Sequence, residues 1–274
     1  MRLLLIRHGE SVDNVAGLYA GSRDSPLTNH GVLQARRLGA HIATRQATIG
    51  SVRHIFASNL QRAYRTAEAI AAACRPEAKD SGPADVVVAT APLDVVRLED
   101  LREKDFGSSE GKKFGSKQRD GTDGAESRES MALRTGRFVD AHLVPIIGQS
   151  AGDHFAVVVV AHGVILNSLV RALLIRYPLK SVGGQFGDEL AVAWSNTGVL
   201  QICFEASANS ASALSPSGKT TRTLIEQTNN VDHLQGLKKT RGGIGSAQFD
   251  SRQRTVDSFF ASASKKRKLE DAKD

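Results

Sequence analysis

An α/β fold with a mostly parallel sheet between two layers of helices, a three-layer sandwich, is predicted by three features of the sequence. Apolar runs short enough to be strands alternate with segments of helical periodicity along the chain. Two of those runs, RLLLI at 2–6 and AVVVVA at 156–161, are continuous rather than alternating, as parallel strands covered on both faces are. The chain has 274 residues, 41% of them hydrophobic, enough for one large domain with a sizeable core or two modest ones.

Residues 2–6 are the expected first strand. No stretch approaches the roughly 18 apolar residues of a membrane span. The N-terminal run lacks a small-residue cleavage site and meets the charged Arg7-His8-Gly9-Glu10 at once, so it reads as a buried strand and not a signal peptide. Thr28 suits an N-cap for a helix carrying Val32, Leu33, Ala35, Leu38 and Ile42 on one face. HIFA at 54–57 reads as a second strand, Asn59–Ala73 as an alanine-rich helix and 86–91 as a third strand. A loop rich in charge and glycine runs from Leu98 to about Glu126, and Glu129–Ile147 is helical in pattern through Met131, Leu133, Phe138 and Leu143. After the strand at 156–161 come a helix at Gly163–Ile175 and strands at 190–194 and 197–204. Residues 206–218 are low in complexity and read as a surface loop, and 219–237 are expected to return as a last strand and turn. From Lys238 no sustained periodicity remains. The expected organisation is a domain over 1–237 and a disordered basic tail over 238–274. Charge follows that division, with +2 on residues 1–205 and +5 on 206–274. The two cysteines, Cys74 and Cys203, sit in apolar surroundings and read as buried free thiols, which suits the cytoplasm or nucleus.

In open α/β sheets ligands bind beyond the carboxyl ends of the strands. Three apolar runs here end in polar clusters: Arg7-His8-Gly9-Glu10, Ser58-Asn59-Leu60-Gln61-Arg62 and His162-Gly163. If the strands are parallel, Arg7, His8, Arg62 and His162 meet on one rim. Two guanidiniums and two imidazoles with no local excess of carboxylates make an anion site, because arginine's planar fork matches phosphate oxygens. Gly9 and Gly163 would let a ligand approach the backbone. Other readings stand beside this one. An Arg-His-Gly triplet occurs by chance, and His162 could be a core histidine. His8, His162 and Glu103 could ligate a metal, although two adjacent guanidiniums repel a cation. The loop around Glu103 could be an ordinary solvated surface.

Six segments carry a family resemblance in the required order: RHGESVDN at 7–14, GSRDSPLTNHGVLQA at 21–35, SNLQRAYRTAEAI at 58–70, LREKDFGSSEG at 101–111, GAESRESM at 124–131 and VVVVAHGVI at 157–165. Together they resemble the histidine phosphatase superfamily, the phosphoglycerate-mutase-like proteins, over residues 1–204 at least. The resemblance implies that fold and a metal-independent phosphomonoester phosphatase acting on small metabolites such as sugar phosphates. It implies His8 as the nucleophile that becomes a phosphohistidine and Glu103 as general acid and then base. It implies Arg7, Asn14, Arg62, His162 and the Gly163 N–H as the phosphoryl holders, with no metal or other cofactor. A phosphoglycerate-type mutase and a non-catalytic phospholigand-binding scaffold are the alternatives. The compact loop at 101–111 is more like the phosphatases. One departure is Ser109, where relatives often carry an aromatic residue expected to shape the pocket wall.

The tail adds two expectations. Gln253, Val256, Phe259 and Phe260 resemble the motif that binds the DNA sliding clamp PCNA: a glutamine, an aliphatic residue three positions on and a closing aromatic pair. Lys265, Lys266, Arg267 and Lys268 resemble a nuclear-import signal, so cytoplasmic and nuclear location are both expected.

Overall fold

In a computed structural model the described residues are 1–75, 93–115, 124–149, 153–179, 191–206, 221–238 and 244–250. The expected strand at 86–91, the low-complexity stretch over 207–218 and both tail motifs lie outside them.

In chain order the described elements are β1 (Arg2–Arg7), α1 (Val12–Ala16), α2 (Asn29–Thr44), α3 (Gln46–Ile49), β2 (Ser51–Ser58), α4 (Gln61–Cys74) and β3 (Val95–Leu98), followed by α5 (Arg128–Phe138), α6 (Val144–Gln149), β4 (Phe155–Ala161), α7 (Gly163–Arg176), β5 (Val199–Ala206) and β6 (Thr221–Asn230). The six strands form one sheet in the order β3-β2-β4-β1-β5-β6. β3, β2, β4 and β1 are mutually parallel, while β5 and β6 close the sheet antiparallel. The sheet is mostly parallel as expected, four of its six strands running together and carrying the strand ends of interest, with an antiparallel pair at one edge.

The continuous apolar runs become the two central strands, and strand periodicity divides their side chains between two cores. Leu3, Leu5, Val157 and Val159 face Phe138, Leu143, Leu166 and Leu169 beneath α5 and α7. Leu4, Ile6, Val158 and Val160 face Leu38, Ile42, Ala67 and Ile70 of α2 and α4. That two-sided burial makes the three layers. Thr28 caps α2 through its hydroxyl, which accepts from the Gly31 N–H at 2.9 Å. Cys74 and Cys203 are buried free thiols.

Four elements differ from the sequence expectation. The single helix expected over 129–147 is broken by a wider π turn at Val139–Leu143 between α5 and α6. Pro145 follows at once and has no N–H to continue the ladder. β3, at 95–98, lies just before the loop expected from Leu98, where the sequence reading places no strand. Residues 191–194, within the strand expected at 190–194, are irregular because the Asn167 side chain takes over the role of a ladder partner. Its Oδ1 accepts from the Val192 N–H at 3.0 Å and from Trp194 Nε1 at 3.0 Å, and its Nδ2 donates to the Val192 carbonyl at 3.3 Å. Residues 244–250, assigned to the tail, return to the domain instead. The Asn29 N–H donates to the Ala247 carbonyl at 3.0 Å and the Phe249 N–H to that of Leu27 at 3.1 Å.

Candidate active site

Sheet register brings the two histidines together. Arg7 of β1 is paired with Ala161 of β4, so the next residues, His8 and His162, leave the sheet side by side. Their ring centroids are 5.0 Å apart and both residues are buried. β2 lies on the other side of β4, and the chain turns from it into α4, whose first turn holds Arg62 at 1% exposure. Arg62 Nε donates to His162 Nδ1 at 3.1 Å. Its other nitrogens donate to the carbonyls of Arg23 at 2.6 Å, Ala20 at 2.9 Å and Gly21 at 3.0 Å. Arg62 thus orients His162 and holds the 20–23 loop against the site.

These bonds fix the histidine tautomers. His8 Nδ1 lies 2.6 Å from the Gly9 carbonyl, which can only accept, so Nδ1 holds the proton and Nε2 keeps its lone pair. Burial, reinforced by the Arg62 and Arg7 charges, drives the His8 pKa well below the ordinary histidine value. A neutral imidazole with a free Nε2 is a nucleophile. In His162 the situation is reversed. Nδ1 accepts from a guanidinium, which can only donate, so the proton of the neutral ring is on Nε2, and that atom is buried without a partner. Burial, then Arg62 and His8, drive the His162 pKa well down too. Burial lowers Arg62 to about 10, which leaves it cationic at neutral pH.

Arg7 also keeps a donor in reserve. One terminal nitrogen donates to the Trp194 carbonyl at 2.7 Å, while Nε is buried without a partner. Buried polar atoms are nearly always paired in a finished structure. Two orphaned donors, on Arg7 and His162, beside one imidazole lone pair describe a site built for an anion with several oxygens.

Asn14, in the first α1 turn, accepts on Oδ1 from the Ser11 N–H at 3.2 Å and from Asn196 Nδ2 at 3.1 Å. With Oδ1 taken from both sides, Nδ2 is the amide atom left for the pocket. Gly163 opens α7, where the first N–H groups have no helical partner. A Cβ placed on Gly163 would meet nothing within 4 Å, so the approach to this backbone is open. Gly9 is different: its Cβ would lie 2.7 Å from the Gly31 carbonyl oxygen, so glycine is required there by packing against α2 and not by a ligand.

Glu103 reaches the same pocket from the loop after β3. Its carboxylate accepts from the N–H groups of Lys104 at 2.8 Å, Val164 at 3.1 Å and Ile165 at 3.1 Å, which places it at the α7 N-terminus beside Gly163. Desolvation raises its pKa and outweighs the three N–H groups and Arg62, which pull it down. A carboxyl poised upward can be a proton donor. Arg7, His8, Asn14, Glu103 and Gly163 all line one cavity of about 480 Å³. Arg62 and His162, both buried, are not part of its lining and lie behind it. Phe106 and Phe114, packed on Tyr19 with ring centroids 4.9 and 4.6 Å away, form an aromatic wall. Ser109, expected to shape that wall, is buried away from the cavity.

Three supporting residues were not singled out in the sequence. Asn196 Nδ2 donates to the His8 carbonyl at 3.1 Å as well as to Asn14. Trp194 lines the pocket and fixes Arg7 through its carbonyl. Arg134 donates to the carbonyls of Asp100 at 2.9 Å, Arg102 at 2.6 Å and Glu103 at 3.3 Å while paired with Glu126 at 2.7 Å. Two positions of the family-like segments find their physical reason in the same region: Glu126 anchors Arg134, and the Glu110 carboxylate accepts from the N–H groups of Gly21, Ser22 and Phe106, each at 3.0 Å.

The sequence and the fold have known counterparts. The family model of the histidine phosphatase superfamily, branch 1, matches residues 3–207, about three quarters of the chain. The chain belongs to that superfamily. A relative in Schizosaccharomyces pombe, named as a probable phosphatase, is 32% identical over 266 residues, covering 93% of this chain and 78% of its own. A probable phosphoglycerate mutase of Photorhabdus laumondii is 30% identical over 181 residues, covering 64% of this chain and 75% of its own. Among solved structures, a mycobacterial glucosyl-3-phosphoglycerate phosphatase complexed with VO3 superposes with a TM-score of 0.58 at 22% identity, covering 83% of this chain and 98% of that one. At that identity the likeness establishes the histidine phosphatase fold, as the sequence resemblance implied.

Proposed function

We propose that this histidine phosphatase superfamily member is a metal-independent phosphomonoester phosphatase working through a phosphohistidine at His8. The observation that carries the reading is the neutral His8, its Nε2 lone pair free, beside the orphaned donors Arg7 Nε and His162 Nε2. In the first step Nε2 attacks phosphorus, the bond to the ester oxygen breaks, and protonated Glu103 gives that oxygen its proton. Arg7, His162, Asn14 and the Gly163 N–H hold the equatorial oxygens, and the Gly9 carbonyl steadies the Nδ1 proton as the ring becomes positive. In the second step the Glu103 carboxylate takes a proton from water, the water oxygen attacks phosphorus and the P–N bond breaks. Phosphate and neutral His8 result. Arg62 neutralises charge from behind and sets the His162 tautomer. The Arg7 and Arg62 charges make the pocket unwelcoming to a metal cation, which supports metal independence.

Trapping with 32P-labelled substrate tests the reading. An acid-labile, alkali-stable phosphoenzyme lost in His8→Ala is the expected result, and turnover without one would refute it. The mutase names among relatives give transfer back to a substrate hydroxyl a specific basis. Release of inorganic phosphate stoichiometric with substrate consumed separates phosphatase from mutase, and a sugar-phosphate panel tests the substrate class.

For the tail, the clamp-like motif of Gln253, Val256, Phe259 and Phe260 and the basic cluster of Lys265, Lys266, Arg267 and Lys268 support two further proposals, clamp binding and nuclear import. A peptide over 250–268 titrated into the clamp by calorimetry, with Phe259→Ala/Phe260→Ala as control, tests the first. A fluorescent fusion with the four basic residues replaced by alanine tests the second through the loss of nuclear signal.

A further inference from the structure

The cavity is larger than a phosphoryl group requires, and its outer wall carries charge that the chemistry does not use. Arg128, at the start of α5, and Arg171, in the third turn of α7, both line it. Both are exposed, and no ion pair is found for either among the described residues. The other arginines around them are engaged: Arg134 holds Glu126, Arg137 holds Asp100 and Arg176 holds Asp140. Glu103 is the sole carboxylate on the cavity wall among the described residues, and it is occupied by backbone N–H groups.

The placement is set by helical spacing. Val164, Asn167, Ser168 and Arg171 line the cavity at intervals of three and four, one face of α7. From Gly163 to Arg171 is eight residues, about 12 Å along the axis. Helical side chains lean toward the N-terminus, so the Arg171 guanidinium is directed back along the cavity. Met131, one turn after Arg128 on α5, and the aromatic rings of Phe106 and Trp194 supply apolar surface in the same cavity.

We propose that Arg128 and Arg171 form a second anion subsite, which selects phosphomonoesters bearing a second acidic group remote from the scissile phosphate across an apolar spacer. An acid carried across a ring-sized apolar spacer is placed nearer these two arginines than one that is one or two carbons from the ester oxygen. The inference rests on the phosphate site proposed above, and the test separates the two. Trp194 is the one tryptophan in the chain and lines the cavity, so its fluorescence reports binding without turnover. Full-length protein is titrated with benzylphosphonate and with 4-carboxybenzylphosphonate, which differ by one carboxylate. The carboxylated ligand should bind about tenfold more tightly, and the ratio should shrink with added salt. In Arg128→Met/Arg171→Met the ratio should fall to about one, while Arg128→Lys/Arg171→Lys keeps most of it because the charge remains. Equal binding of the two ligands to the native protein, or an undiminished ratio in the methionine variant, overturns the subsite alone. Binding of neither ligand overturns the phosphate site, and the subsite with it.

Discussion

The inner and outer halves of the cavity are built in opposite ways. At the inner end, His8, His162 and Arg62 leave strand ends or the first turn of a helix, are buried, and have their tautomers or charge fixed by named partners. At the outer end, Arg128 and Arg171 stand on helix surfaces, exposed and without ion partners among the described residues. Phosphoryl transfer rewards groups held in place before the substrate arrives, because reorganisation adds to the barrier. Recognition of the rest of a substrate tolerates side chains that order on contact. The difference predicts that substitutions inward act on turnover and substitutions outward act on affinity.

The largest effect is expected at His8. His8→Ala removes the nucleophile and should lower kcat by roughly 10⁴-fold or more, in line with nucleophile removal elsewhere. Its one side-chain bond is to its neighbour's carbonyl, so the far-UV spectrum and the unfolding midpoint should stay close to native. Residual turnover within tenfold of native would break the contrast between the two halves.

Glu103→Gln comes next, and its effect should depend on the ester. A leaving oxygen of high pKa needs the proton, whereas p-nitrophenolate leaves without one. A loss of about 10²–10⁴-fold on an alkyl phosphate, against a much smaller one on p-nitrophenyl phosphate, is expected. Because desolvation raises the Glu103 pKa, the acid form persists above the ordinary carboxylate range and is lost as pH rises. Native kcat on alkyl phosphates should therefore fall on the alkaline side, and that limb should be missing in the glutamine variant. Equal losses on both esters would reduce Glu103 to a structural cap on α7.

The inner half was far more legible in the sequence than the outer. Arg7, His8 and His162 end or follow apolar runs too continuous to be anything but central strands, and sheet register then forces the histidines together. Arg62 falls on the first turn of a helix that follows such a strand. Asn196 gave no signal and Trp194 fell at the end of an expected strand, because the segment containing them is neither strand nor helix and owes its course to the Asn167 side chain. Arg171 is one of two arginines on α7, and no periodicity says which face borders a cavity. The return of residues 244–250 was hidden for a related reason: it rests on a few backbone bonds near Thr28 and not on an apolar pattern.

Arg134 tests the boundary between the halves. It lies on α5 close to the outer wall yet braces the Glu103 loop through three carbonyls. Arg134→Met strands a mostly buried Glu126 and releases those carbonyls, at a cost of roughly 2–4 kcal/mol of stability. As a positioning residue it should mimic Glu103→Gln in part, with about a tenfold loss on alkyl phosphates and less on p-nitrophenyl phosphate. A uniform loss on both esters at unchanged KM would show that Arg134 only stabilises.

The smallest effect concerns acid. His233, in the turn after β6, bonds Thr197 Oγ1 at 2.8 Å and leaves Nδ1 buried without a partner. Thr197 in turn donates its N–H to the Arg7 and His8 carbonyls at 3.0 and 3.2 Å, so the turn backs the catalytic strand end. Burial, with the nearby His41, lowers the His233 pKa to about 4. The unfolded chain takes up this proton near the ordinary histidine value of about 6.5, and the folded chain takes it up only near the lower one. Between those limits the unfolded state binds more protons, so falling pH removes stability, and below about 4 the loss from this residue is complete. His8 and His162, lowered in the same direction, add to the slope. Denaturant melts of the native protein should therefore weaken steadily as pH falls from 6.5, and His233→Gln, which keeps a hydrogen-bonding side chain but cannot titrate, should weaken less steeply. Parallel slopes in the two proteins would mean that His233 becomes protonated without unfolding, and that the turn behind the strand end is more open to water than its burial implies.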